Sequence, residues 1–175
     1  MDIEASLREA IRYETSIRDL YREAARRTAW EGSRRFFSYM ERDERSHVSF
    51  LEAKAAELRL AGDIGPDLDL APPLEGERIG EAKRAARRAL SGADRGGLVE
   101  SLAKALRAEE ETTAFYRDLV EAGLKGSEPA GEGAAMLFAR FLRIEEGHAL
   151  IVRAELDLAS ESGFWFDMKE FDLED

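Results

Sequence analysis

The sequence predicts an all-α protein, a four-helix bundle made of two helical hairpins joined by a long crossover. Three observations predict it. Apolar residues recur at alternating spacings of three and four along four separate segments, strand-like alternation is absent before the last dozen residues, and the second half of the chain repeats the first.

The first helix is expected over residues 3–28, with Ile3, Leu7, Ala10, Glu14, Ile17, Tyr21 and Ala24 on one stripe. Gly32 and Ser33 then mark a short turn, with Ser33 as N-cap. A second helix follows over residues 34–60, its stripe being Phe37, Met40, Glu44, His47 and Leu51. So short a link makes the two helices antiparallel neighbours. From Gly62 to Gly80 the composition shifts to glycine, acid and the prolines Pro66, Pro72 and Pro73, which marks a connection. With a basic, alanine-rich helical piece over residues 81–90 and a break over 91–97, the crossover takes up residues 61–97. The third helix is expected over residues 98–122, with Leu98, Leu102, Ala105, Glu109, Thr112, Tyr116 and Leu119 aligned. After a turn over 123–133 the fourth helix occupies residues 134–160, with Phe138, Phe141, Glu145, His148 and Val152 inward. This assigns residues 1–162 to the bundle and residues 163–175 to an aromatic, acidic tail.

The repeat can be written residue by residue. A shift of 95 positions lays Leu7 on Leu102, Ala10 on Ala105, Glu14 on Glu109 and Tyr21 on Tyr116. Shifting by 101 lays Phe37 on Phe138, Met40 on Phe141, Glu44 on Glu145, His47 on His148 and Leu51 on Val152. The chain is one helical hairpin written twice.

Its 175 residues suffice for one well-buried core, and no apolar run approaches the ~20 residues needed to cross a bilayer, so a soluble, single-domain protein is expected. The first twelve residues lack the basic start and apolar stretch of a secretory signal, which predicts a cytoplasmic location. Absence of cysteine excludes disulfides, thiolate zinc sites and iron–sulfur centres in this chain. A net charge of -11 disfavours nucleic acid and acidic membrane surfaces as partners.

The stripes carry an anomaly. Glu14, Glu44, Glu109 and Glu145 occupy positions that otherwise hold Leu, Ile, Phe and Met, and an ionised carboxylate in a core is costly unless paired or metal-bound. The chain's two histidines, His47 and His148, each follow one of these glutamates by three residues, so each pair presents an oxygen and a nitrogen from one helix face. Two divalent cations would cancel four carboxylates and leave two neutral imidazoles. Oxygen-rich ligation with one imidazole per ion suits iron or manganese better than a softer metal. Any one of these residues alone is better read as a mis-phased surface glutamate or a hydrogen-bonded core histidine, but six in register favour a metal site. Tyr21 and Tyr116, each seven residues after its helix's glutamate, either donate hydrogen bonds to the carboxylates or fill the core. Glu110, Glu111 and Glu146 are expected to face solvent.

Together these residues resemble the rubrerythrin branch of the ferritin-like superfamily, which pairs a helix-A Glu, a helix-B Glu-x-x-His, a helix-C Glu and a helix-D Glu-x-x-His. The likeness covers residues 3–159 apart from the crossover. It implies a ferritin-like bundle with two iron ions, manganese being the less favoured metal, held by Glu14, Glu44, His47, Glu109, Glu145 and His148. Glu44 and Glu145 would be the bridging or flexible carboxylates. The implied activities are peroxide reduction and oxidation of ferrous iron, with peroxide or dioxygen as oxidant. Two departures stand out: Thr112 occupies the place of a further family glutamate three residues after the helix-C ligand, and no cysteine-bearing rubredoxin-like domain is present. Electrons would therefore come from an external donor.

Competing readings are an iron-binding or iron-delivery protein without turnover, a dimanganese catalase-like site, and a metal-free structural bundle in which Glu and His bond one another. A storage cage is disfavoured because no ordinary fifth helix follows Ser160. The tail, with Phe164, Trp165, Phe166 and Phe171 among acids, is expected either to strap the bundle's own end or to dock on a second subunit. By analogy with ferritin-like bundles, a homodimer is expected.

Overall fold

In the computed structural model, which describes residues 2–29, 31–65, 95–124 and 132–160, helix α1 is Ile3–Arg27 and helix α2 is Glu31–Ala61. Helices α3 (Arg95–Leu124) and α4 (Glu132–Ser160) complete the bundle, and no strand occurs among the described residues. Most of the expected crossover, including its basic helical piece, and the whole tail lie outside the described residues.

Local chemistry sets the helix ends. Asp2 caps α1, its side chain accepting from the Ala5 N–H at 3.0 Å, and Thr28 leaves the helix with extended backbone while its N–H still reaches the Ala24 carbonyl. At the far end of α2, Gly62 takes φ +76° and returns its N–H to the Leu58 carbonyl at 2.8 Å, a left-handed C-terminal cap open to glycine without strain. Glu57, tied to Lys54 at 2.8 Å, accepts from the Gly65 N–H and holds the next residues against the helix end.

Three helix starts differ from the sequence expectation. Gly32 and Ser33 are helical, because α2 begins at Glu31; Ser33 is buried rather than serving as the cap. Helix α3 begins at Arg95 and runs through Gly96 and Gly97, and α4 includes Gly133. Glycine lowers helix propensity by only about 1 kcal/mol, which packing readily overrides. At Gly133 the packing is visible: a Cβ there would lie 2.1 Å from the Ile64 carbonyl oxygen, so the absent side chain admits the turn after α2.

Two apolar clusters divide the core. One gathers Leu7 and Ala10 from early α1, Leu51 and Ala55 from late α2, Tyr116 from late α3 and residues from Ala134 to Ile144 of early α4. The other gathers Ile17 to Ala24 from late α1, Phe36 to Met40 from early α2, Leu102 to Leu106 from early α3 and Val152 and Ala159 from late α4. This distribution fixes the senses: α1 and α4 run one way, α2 and α3 the other. Helices α2 and α3 therefore run the same way, so the end of α2 and the start of α3 lie at opposite ends of the bundle. Between the two clusters lies a charged layer.

Candidate metal centre

The predicted stripes bury as the periodicity requires, and they carry their glutamates with them. Glu14, Glu44, Glu109 and Glu145 are 0% exposed, His148 is 2% and His47 is 4%. The flanking acids behave as the helix phase demands: Glu110 and Glu146 are exposed and paired with Arg153 and Arg117, and Glu111 is exposed.

Both imidazoles aim Nδ1 at the bundle axis. His47 Nδ1 lies 3.2 Å from Glu14 Oε2, 3.2 Å from Glu44 Oε2 and 3.7 Å from Glu145 Oε1. His148 Nδ1 lies 2.8 Å from Glu44 Oε1, 3.7 Å from Glu145 Oε2 and 3.9 Å from Glu109 Oε2. Glu44 and Glu145 thus each turn one oxygen toward each histidine, while Glu14 flanks His47 and Glu109 flanks His148. The rings stack at 5.4 Å between centroids.

The tyrosines settle on hydrogen bonding as well as packing. Tyr116 on α3 donates to Glu14 Oε1 on α1 at 2.5 Å, and Tyr21 on α1 donates to Glu109 Oε1 on α3. Each leaves its carboxylate's other oxygen toward the histidines. Both rings are fully buried.

One participant is absent from the sequence expectation. Asp43, one residue before Glu44, places Oδ2 3.0 Å from His148 Nε2, on the side of the ring away from the carboxylates. A carboxylate behind an imidazole fixes its tautomer and leaves the opposite nitrogen as a lone pair for a metal. The repeat could not reveal it, because the matching position in the second hairpin is Ile144.

Electrostatics show what the cluster does without a cation. Burial pushes the Glu14 carboxyl well above the usual carboxylate range, reinforced by facing Glu145, and burial with facing Glu44 does the same to Glu109. Burial also acts to raise Glu44, but His148 and His47 outweigh it and hold that carboxyl below its usual range. Burial would lower both imidazoles, yet Glu44 outweighs it and lifts His47 and His148 well above the ordinary value. Both phenols are pushed up, first by burial and then by Glu109 beside Tyr21 and Glu14 beside Tyr116, so they remain donors. Protons therefore occupy the role that cations would take.

Even so, polar atoms remain unsatisfied. Glu44 Oε1, Glu109 Oε2, both oxygens of Glu145 and His148 Nδ1 are buried without a hydrogen-bond partner. The 2.8 Å approach of His148 Nδ1 to Glu44 Oε1 lacks hydrogen-bond alignment, as expected of neighbouring ligands that face a common ion. Orphaned buried acceptors are rare in native proteins and costly, so their convergence fits a bound cation. Glu44, His47, Glu145 and His148 offer ligand atoms all within 4.8 Å of one another, a group able to hold a metal ion. No protein family, curated protein or solved structure matches this chain. The chemistry of the site therefore rests on its own geometry.

No described helix is long and apolar enough to cross a membrane.

Proposed function

We propose that this chain is a non-haem di-iron oxidoreductase, similar to the rubrerythrins of the ferritin-like group, that reduces hydrogen peroxide or dioxygen while oxidising ferrous iron. The observation that carries the reading is the convergence of four carboxylates and two inward imidazole nitrogens on one buried layer, five of whose atoms lack partners. Glu44 and Glu145 each face both histidines and would be shared between two ions, with Glu14 and His47 completing one position and Glu109 and His148 the other. Four carboxylates balance two divalent charges, and oxygen-rich ligation favours iron, with manganese second.

When bound as a pair, ferrous ions supply two electrons at once, enough to convert hydrogen peroxide and two protons to two waters. The chain's own part is to hold and to enclose. Tyr21 and Tyr116 each fix one carboxylate oxygen, Asp43 orients His148, and the apolar clusters on either side keep bulk water from the charged layer. With no cysteine in the chain, electrons for a second turnover come from an external donor. The reading includes a cytoplasmic homodimer, which gel filtration with and without residues 163–175 would test.

The deciding experiment loads the protein anaerobically with ferrous iron and mixes it with peroxide. Two irons oxidised per peroxide, repeated turnover on addition of a reductant, and loss of both in His47→Ala and His148→Ala are expected. Oxidation no faster than that of ferrous iron in buffer would refute the proposal.

A second reading, iron binding or delivery without turnover, is favoured by Thr112. It is fully buried and its hydroxyl donates to the Ala108 carbonyl at 3.0 Å, where rubrerythrins have another glutamate. It predicts the same metal uptake but a single oxidation with no return.

A further inference from the structure

The charged layer is nearly two-fold symmetric, and Asp43 breaks the symmetry. The shift that superposes Glu44 on Glu145 and His47 on His148 lays Asp43 on Ile144, an apolar residue only 5% exposed. A single carboxylate therefore stands behind two imidazoles, and it serves them unequally. Its Oδ2 is 3.0 Å from His148 Nε2 and 3.9 Å from His47 Nε2, so only His148 is within hydrogen-bond reach. His47 instead meets the Phe141 ring in a T-shaped contact, with centroids 5.4 Å apart.

We propose that Asp43 is a positioning residue that makes the two metal positions unequal, the one at His148 binding tightly and filling first, the one at His47 binding weakly and exchanging. This rests on the reading of the cluster as a two-metal centre. The chemistry is direct. A carboxylate that accepts the Nε2 proton raises the basicity of Nδ1 and holds the ring in the tautomer a metal needs, an effect worth roughly 10–100-fold in metal affinity. His47 draws no such help and must be oriented by the carboxylates in front of it, Glu14 and Glu44. A protein built this way keeps one ion resident and trades the other.

Titration of the metal-free full chain with cobalt(II), followed by calorimetry and by the visible absorption of the bound ion, tests the proposal. Wild type is expected to bind two ions in separate steps, at least tenfold apart. Asp43→Asn, which keeps the size but removes the charge, should weaken the tight step by roughly 10–100-fold and draw it toward the second, whose affinity stays within about threefold. His148→Ala should remove the tight step, and His47→Ala should leave it. Metal-free thermal unfolding of each variant establishes that it folds. Two equal steps in wild type, equal weakening of both steps by Asp43→Asn, or loss of the tight step in His47→Ala would overturn the inequality while leaving a two-metal centre intact. Failure of wild type to bind any cobalt would overturn both.

Discussion

Tyr21 and Glu109 lie 88 residues apart in sequence and meet in the bundle core, the phenol of α1 donating to the carboxyl of α3. Its twin, Tyr116 to Glu14, runs the opposite way between the same two helices. These crossed bonds tie the two hairpins together through the groups that flank the histidines, so the stability of the bundle and the shape of its centre depend on the same atoms. Tyr21→Phe removes the donor and leaves a buried carboxyl oxygen unsatisfied. Urea unfolding of the metal-free protein should register a loss of about 1–3 kcal/mol. A change of a few tenths would mean the bond contributes nothing.

Glu14 and Glu109 are held in a form that favours the proton, so a neutral isostere should suit the empty bundle better than the native residue. Glu14→Gln together with Glu109→Gln should stabilise the metal-free protein at neutral pH, because an amide needs no proton uptake on folding. The same variant should bind metal far more weakly, because an amide is a neutral ligand. Stabilisation without loss of binding would remove these two residues from the ligand set.

Stability of the metal-free protein should fall with rising pH. Glu14 and Glu109 bind protons more tightly folded than unfolded, so their contribution is complete below the ordinary value of 4.5 and is lost as pH climbs through their raised values. His47 and His148 act likewise from 6.5 upward. Glu44 and Asp43, both lowered, work in the other sense, but their contributions are already full above 4.5 and 3.8 and fade only in acid. Metal binding displaces protons and strengthens with pH. Melting curves in chelator and in excess manganese should therefore diverge from about pH 5 to about pH 8, the gap widening as pH rises. Parallel curves would show that the protons and the ion do not compete.

Two glycines of α4 should respond oppositely to alanine. Gly133 has no room, with the Ile64 carbonyl 2.1 Å from the added carbon, and Gly133→Ala should cost about 1–3 kcal/mol by overpacking. Gly147, beside His148, has nothing within 4 Å of that carbon, so Gly147→Ala should gain about 0.5–1 kcal/mol from helix propensity. Thermal unfolding of both variants checks the pair.

The contrast between these glycines also marks the limit of what the sequence disclosed. Helical periodicity located Glu14, Glu44, Glu109, Glu145 and both histidines, because a stripe of Leu, Phe and Tyr defines the inward face whatever the neighbouring charges; it passed over Glu155, which is also buried. Helix starts were less legible: Gly32, Gly97 and Gly133 look like breakers locally yet are helical, and at Gly133 the close packing against Ile64 is the reason. Asp43 escaped because a search for paired positions passes over a residue whose twin is Ile144. Crossed tyrosine bonds were half visible, since spacing places Tyr21 and Tyr116 near the centre but cannot choose which glutamate each one meets.

Anomalous diffraction from crystals grown anaerobically with ferrous iron addresses the central claim most directly. Two iron peaks per chain are expected between Glu44 and Glu145, one beside Nδ1 of His47 and the other beside Nδ1 of His148. With iron in saturating excess, a single peak, or iron found only at surface carboxylates, would contradict a binuclear centre.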